Sequence, residues 1–387
     1  MKNVGFLNLP GWKKQFQEIL VKMGREDLLK LPLLGRENSD NAWSAFDHDE
    51  FFSFVQAGVA FNGNPVRDLP QRIITNDAAL AIKRIKNGLD SDTFYSAAIG
   101  GTFPFLNMLC DYCISKPVKV FVQNDAFAGF VLSTMEKEGK SFEEAICDAR
   151  WKDLSDDNSN FSLHGIVSRN RLVLQIAEIF GCFVEPEKVS CIGINNVSKL
   201  DIDIAKELGS SIRLLGIAEY EGSSLKAMTE PCLIPERYFL AQARGGSEII
   251  YAKTADGQSH VYACPGASAE TDVRGIVRDI DQLDVNSKKE LVRIEKVEEL
   301  KSRFYVRFDI INLTSTLAEL LKTFELAGVE INKIYHPNVS YETLNGGSLV
   351  ICTDCTTRTT LDKSLEAINK NIKLASLKAC FRIIDRG

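Results

Sequence analysis

The segment between residues 302 and 384 restricts the fold most, because its hydrophobic pattern switches repeatedly between the strand period and the helix period. Ser302–Ile311 (SRFYVRFDII) alternates as a strand does, and Ser315–Leu326 carries helical spacing that ends at Ala327-Gly328. Ile331–Val339 and Ser348–Thr353 read as strands, with Asn345-Gly346-Gly347 as the turn between them. A helix over Leu361–Asn369 and a strand over Lys378–Ile384 complete the order β-α-β-β-α-β. Such an order closes into an antiparallel four-stranded sheet with both helices on one face. The charged stretch Ser287–Lys301 (SKKELVRIEKVEELK) reads as its connection to the rest.

The N-terminal end has a different grammar. It begins MKNVGFLNLPGWKKQFQEIL: an apolar run (Val4–Leu7), a turn, then helical periodicity. That is how a dinucleotide-binding domain opens. The three glycines of the fingerprint are replaced by Asn8, Pro10 and Lys13. Pro10 removes an N–H and fixes φ, and Lys13 puts bulk where the helix presses on the strand. Asn8, Gly11 and Lys13 are the candidate cofactor-binding residues that remain. A second strand should follow, ending in an acid about 20 residues on for the ribose hydroxyls. Val21–Asn41 shows no clean strand. The region before Thr75-Asn76-Asp77 therefore reads as a shortened, degenerate Rossmann-like domain, with the expectation that no cofactor is held.

Between these ends, SAAIGGTFPFLNML (Ser96–Leu109) reads as a strand, a glycine turn and a helix with Pro104 in its first turn. Ser141-Phe142-Glu143-Glu144-Ala145 is a capping box, Ser141 being the N-cap. The length of 387 residues suits two or three domains. A net charge of -6 argues against a nucleic-acid or anionic-membrane surface. With no apolar run long enough for a membrane span and no leader pattern, a cytoplasmic protein is expected. Two CxxC pairs, Cys110–Cys113 and Cys352–Cys355, have no histidine at ligand spacing, so reduced thiols and no metal are expected.

At this point the chain resembles a family. Ala97-Ala98-Ile99-Gly100-Gly101-Thr102-Phe103-Pro104 is similar to the glycine turn of homoserine dehydrogenases. Leu132-Ser133-Thr134-Met135-Glu136 with Ser141–Ala145 resembles that family's helix–loop–helix, and Glu230-Pro231-Cys232-Leu233-Ile234-Pro235 its Glu-Pro strand. Cys264-Pro265-Gly266-Ala267-Ser268-Ala269 resembles its glycine-rich loop before a helix over Val273–Ile280. The C-terminal part is ferredoxin-like in order and resembles an ACT domain, the module with which many amino-acid biosynthetic enzymes sense amino acids. The resemblance implies a mixed α/β and α+β chain: a nucleotide-binding-like domain at 1–92, completed by a helix near 271–283; a catalytic and dimerisation domain at 93–290; and an ACT domain at 300–387.

It also implies an NAD(P)-linked interconversion of homoserine and aspartate semialdehyde, and it places the family's chemical residues on definite positions. Its lysine near the reacting centre falls on Asp77, which reverses the charge. Its threonine-bearing turn reads Asp125-Ala126-Phe127-Ala128-Gly129-Phe130, where Phe127 is expected to fill ligand space. Its Gly-x-Asp-x-x-x-Lys helix reads Gly165-Ile166-Val167-Ser168-Arg169-Asn170-Arg171: the carboxylate becomes Val167, and the lysine becomes Arg171, which cannot give up a proton near neutral pH. The glutamate for the substrate amine falls on Asp156. Asp77, Asp156 and Arg171 are thus the candidate catalytic positions, all substituted.

Two functions follow from the resemblance. In the first, the chain has lost the dehydrogenase reaction and serves as a regulatory or repurposed homodimer, with an enzyme of the aspartate pathway as partner. In the second, it remains an NAD- or NADP-dependent oxidoreductase of homoserine, aspartate semialdehyde or a related carbonyl compound. An amino-acid effector is expected at the turn Asn312-Leu313-Thr314-Ser315-Thr316, where Thr314 or Ser315 is expected to cap the helix.

Overall fold

The computed structural model describes residues 3–7, 12–30, 51–55, 72–112, 115–152, 154, 159–266, 268–282, 290–337 and 347–384. They form two compact units. The first comprises Met1–Pro117, Asn170–Lys188 and Cys264–Glu295; the second comprises Val118–Arg169, Val189–Ala263 and Lys296–Gly387.

The first unit opens with strand β1 (Asn3–Leu7), helix α1 (Trp12–Lys22), β2 (Phe51–Val55), β3 (Arg72–Thr75), α2 (Ala78–Lys86) and β4 (Thr93–Phe94). The strands are parallel and ordered β1-β2-β3-β4, with Asn3 beside Phe51, Phe52 beside Arg72 and Ile73 beside Thr93. Among the described residues this sheet grows on one side of β1 only. A doubly wound dinucleotide domain places strands on both sides of its first strand. Next come α3 (Ser96–Ile99) and α4 (Phe103–Tyr112). Ser96–Ile99 was expected as a strand and is helical. All four of its residues are buried, which a strand with one solvated face would not show.

The chain then enters the second unit: β5 (Pro117–Gln123), α5 (Ala126–Glu138), α6 (Phe142–Trp151) and α7 (Ser159–Leu163). Ser141 caps α6 with the expected capping box, Glu144 returning to its N–H. Helix α8 (Ile166–Phe180) leads into β6 (Cys182–Val184), and β7 (Ser190–Cys191) and α9 (Lys199–Glu207) follow. A long hairpin, β8 (Ser210–Glu221) and β9 (Ser224–Pro235), pairs from Ser210 and Pro235 down to Glu221 and Ser224. Gly222 makes its tight turn with φ of 64°. Strands β10 (Glu248–Thr254) and β11 (Ser259–Cys264) give the order β11-β10-β5-β8-β9.

Returning to the first unit, α10 (Ala269–Gln282) packs its apolar stripe, Val273, Ile276, Val277 and Ile280, against Phe16 and Leu20 of α1, Ile74 of β3 and Ala97 of α3. Strand β12 (Val292–Ile294) pairs parallel with β6.

The C-terminal residues add β13 (Val297–Glu298), β14 (Arg303–Ile310), α11 (Leu313–Leu326), β15 (Ile331–Tyr335), β16 (Gly347–Thr353), α12 (Arg358–Asn371) and β17 (Ala375–Ile383). Their β-α-β-β-α-β order and antiparallel arrangement β17-β14-β16-β15 are those read from the sequence, while the turn at Asn345-Gly346 lies outside the described residues. The cap of α11 differs: Asn312 accepts the Ser315 N–H at 3.1 Å and its hydroxyl at 3.0 Å, one turn earlier than Thr314 or Ser315 would. Asn312 is the extended residue at that point, as an N-cap must be.

This sheet does not stand alone. β17 runs parallel to β9, with Arg382 beside Cys232 and Ile383 beside Leu233, so the strands continue as β9-β17-β14-β16-β15. One face carries α11 and α12 over a core of Phe304, Phe308, Leu320, Phe324 and Leu365. From the opposite face Tyr305, Val350, Ala379 and Phe381 join Leu132, Met135, Ile202, Ile212 and Leu233 in a second core. Buried charges tie the seam. Glu230 of β9 binds the Arg382 guanidinium of β17 and lies 3.4 Å from Arg358 at the start of α12. Asp201 of α9 accepts from Arg307 of β14 at 2.7 Å and from the Tyr305 hydroxyl at 3.3 Å. No helix among the described residues is long and apolar enough to cross a membrane.

Candidate active site

Ligands of open parallel sheets sit at the carboxyl ends of the strands. In the first unit β1 gives way to α1 after residues 8–11, so the first turn of α1 follows directly on that edge. The free N–H groups of such a turn suit a pyrophosphate. Asn8 and Gly11 lie outside the described residues; Lys13 falls in the first turn of α1, and its side chain is likewise outside them.

At the end of β3, Thr75 Oγ1 accepts the Asp77 N–H at 3.0 Å, and Asp77 Oδ1 accepts from the N–H groups of Ala79 and Leu80 at 2.9 and 3.1 Å. Asp77 is thus the N-cap of α2, a task its carboxylate suits because the positive end of the helix faces it. Its neighbour Asn76 donates to Asp272 of α10 at 2.7 Å. Gly100, at φ of 91°, turns the chain from α3 towards α4, and Thr102 accepts from Gln175 of α8 at 3.1 Å. Arg171 lies half-buried four residues before Gln175 on the same helix.

In the second unit the end of β5 is a buried polar corner. Asn124 and Ser168 bond reciprocally, Nδ2 to the Ser168 carbonyl at 3.2 Å and the Ser168 hydroxyl to Oδ1 at 2.6 Å, which fixes the start of α8. Asp125 caps α5 through the Ala128 N–H at 3.0 Å. Phe127, expected to fill ligand space, is buried in the core with Leu132 and Ile212. The α7–α8 turn is held close to the sheet by two glycines. Gly165 adopts φ of 78°, and a Cβ on Gly193 would lie 2.0 Å from the Leu163 carbonyl oxygen. Val167 is half-buried in the first turn of α8. Asp156 lies outside the described residues.

Asp77 and Arg171 therefore belong to the first unit, and Val167 to the second. Ser168, Gln175 and Asp272 carry the anchoring bonds and were not singled out from the sequence. The only local hint was the placement of Asp272 in the first turn of a helix. Among the described residues no cluster of histidine, cysteine and carboxylate side chains could hold a metal.

Residues 124–280 match the homoserine dehydrogenase family model. That span is similar to the homoserine dehydrogenase domain. The Bacillus subtilis homoserine dehydrogenase is 21% identical over 310 residues, 76% of this chain and 71% of that protein. The Synechocystis enzyme is 27% identical over 259 residues, 62% of this chain and 60% of that one. Among solved structures, homoserine dehydrogenase from Thiobacillus denitrificans superimposes with a TM-score of 0.83 at 18% identity, covering 100% of this chain and 99% of its own. A hyperthermophilic archaeal homoserine dehydrogenase mutant in complex with NADPH aligns at a TM-score of 0.56 and 14% identity, over 75% of this chain and 99% of its own. The matched span contains Asn124, Asp156, Val167, Arg171 and Asp272, whereas Asp77 and the β1–α1 turn precede it.

Proposed function

We propose that the chain is an oxidoreductase of the homoserine dehydrogenase type, using NADP or NAD on a small amino-acid-derived alcohol or its aldehyde, with homoserine and aspartate semialdehyde as the first substrates to test. The observation that carries this reading is the family domain over 124–280. The cofactor would supply or accept a hydride. Asn8, Gly11 and Lys13, at the junction of β1 and α1, would hold its diphosphate. Arg171 would give a fixed positive charge for a carboxylate or a polarised carbonyl, and Asp156 would meet an ammonium group. Arginine cannot act as the proton donor, and losing such a donor slows a reaction roughly 10²–10⁴-fold. Turnover on homoserine is therefore expected to be slow.

A second reading, a regulatory homologue without turnover, is favoured by Asp77, whose carboxylate is engaged in capping α2, and by Val167, which offers no group to orient a substrate. The degenerate fingerprint supports it too, as does a sheet that, among the described residues, extends from β1 on one side. Under either reading, residues 300–387 act as an ACT-type module for an amino-acid effector, and the chain works as a homodimer. The β-α-β-β-α-β order supports the module.

Titration of the purified protein with NADPH, followed by tryptophan quenching, separates the two. Saturation in the micromolar range together with homoserine-dependent NADP reduction supports the oxidoreductase. Absence of binding up to millimolar nucleotide removes it in favour of the regulatory homologue. If nucleotide binds but turnover is absent, the V167D/R171K double variant should restore homoserine oxidation; failure to do so would exclude homoserine as the substrate.

A further inference from the structure

Deep in the first unit, α10 crosses α3 at unusually short range. A Cβ on Gly275 would lie 2.6 Å from the Ala97 nitrogen and 2.7 Å from its Cα, so the two helices meet backbone to backbone. One turn further along α10 stands Asp279, only 3% exposed. Its Oδ2 accepts from the Ser96 N–H at 3.0 Å, and the Ser96 hydroxyl bonds to the same carboxyl. Arg278 on the same helix lies 4.0 Å from Oδ1 and gives its own close bond, at 2.8 Å, to the Ser96 hydroxyl. Facing the carboxyl from α8 is Glu178, which bonds to the buried Tyr95 hydroxyl just before α3; burial holds that phenol neutral, and Asp90 adds further negative charge near it.

For a carboxylate this deeply buried, with Glu178 facing it, the lost hydration outweighs what Ser96 and Arg278 return. We propose that Asp279 makes the α3–α10 contact a proton-operated joint, closed when the carboxyl is protonated and loosened when it ionises. Burial is also the main reason the carboxyl is pushed up to about 7, within the range a cell can traverse. Because α3 runs into the Gly100 turn, loosening the joint frees that turn as well.

The direction of the linkage follows from proton counting. An unfolded aspartate titrates near 3.9. Between there and about 7 the native chain holds a proton that the unfolded chain has lost. Stability from this group therefore falls as pH rises through that window, and the loss is complete above it.

The test compares wild type with Asp279→Asn, which keeps an acceptor for the Ser96 N–H and cannot ionise. The folding constant of the variant relative to wild type should rise with pH, by up to about tenfold per unit between pH 5 and 7, and level off above. Hydrogen exchange in the native protein, corrected for the intrinsic rate, should show α3 and α10 amides losing protection near pH 7 in wild type only. Parallel pH curves for the two proteins overturn the joint. Should the Asn variant not fold, Glu178→Gln leaves Asp279 in place and should move the wild-type exchange transition to lower pH; an unmoved transition overturns the proposal equally.

Discussion

Glu230→Gln tests whether the seam between β9 and β17 is a dry, structural joint. Glu230 and Arg382 are 2% and 3% exposed and in direct contact, and Arg358 approaches the same carboxylate at 3.4 Å. Removing the charge leaves two guanidinium groups without their shared anion. Breaking a buried pair from one side costs ~3–5 kcal/mol, and glutamine, which can still accept one bond, should fall near ~3 kcal/mol. For a unit of this size each kcal/mol lowers Tm by about 2–4 °C, so the loss should be roughly 6–12 °C. The assay is urea unfolding alongside a thermal melt, the slope with denaturant staying unchanged. A double-mutant cycle with Arg382→Met should recover at least about 1 kcal/mol, because the second change removes one of the stranded charges. A single-variant cost below about 1 kcal/mol, with no coupling to Arg382, would mean that the pair is hydrated and does not hold the seam.

Other perturbations probe separate joints. Gly275→Ala should cost ~1–3 kcal/mol in thermal unfolding, since the new methyl group meets backbone atoms of Ala97 that cannot swing aside. Asp77→Ala should lower stability by ~1 kcal/mol through loss of the α2 cap while changing NADPH affinity little; a large drop in affinity with unchanged stability would instead assign Asp77 to the site. Ser141→Ala should cost ~1 kcal/mol by opening the α6 capping box, measured by the same melts. A chain cut before residue 302 should be insoluble or unfolded in its second unit, because Tyr305, Val350 and Phe381 leave a core they share with Leu132 and Ile212; a soluble, cooperatively melting fragment would refute this.

What could be read in advance depended on how local the physics was. The α6 cap is written in two residues three apart, and the C-terminal strands and helices in their own periodicities, so both were legible. Ser96–Ile99 reads as a strand in sequence because three small residues and one isoleucine, all buried, carry no period; the helix brings Ala97 against Gly275 of α10. The cap of α11 was placed late for a similar reason, since three polar residues in succession all satisfy the pattern. Asp77 illustrates a different limit. Its charge is visible in the sequence, but its use as a cap depends on Thr75 and on the direction of α2. The pairs Glu230–Arg382 and Asp201–Arg307 join distant residues, and no single-chain pattern announces them. The family domain was legible because several short motifs kept their order, which is information about the scaffold rather than about the chemistry.

The seam also sets a schedule for synthesis. Glu230 and its arginine partner on β17 are separated by 152 residues. At about 5–20 residues per second a ribosome needs roughly 8–30 s to cover that distance. Throughout that interval the stretch of β9 at Cys232 and Leu233, beyond its pairing with β7, has an open edge and a carboxylate waiting for its counterion, and the apolar face of the β8–β9 hairpin lacks Tyr305 and Phe381. The second unit must therefore remain unfinished in the cell for many times longer than a hairpin takes to form, and a chaperone that shelters exposed strand edges has its opportunity in that interval.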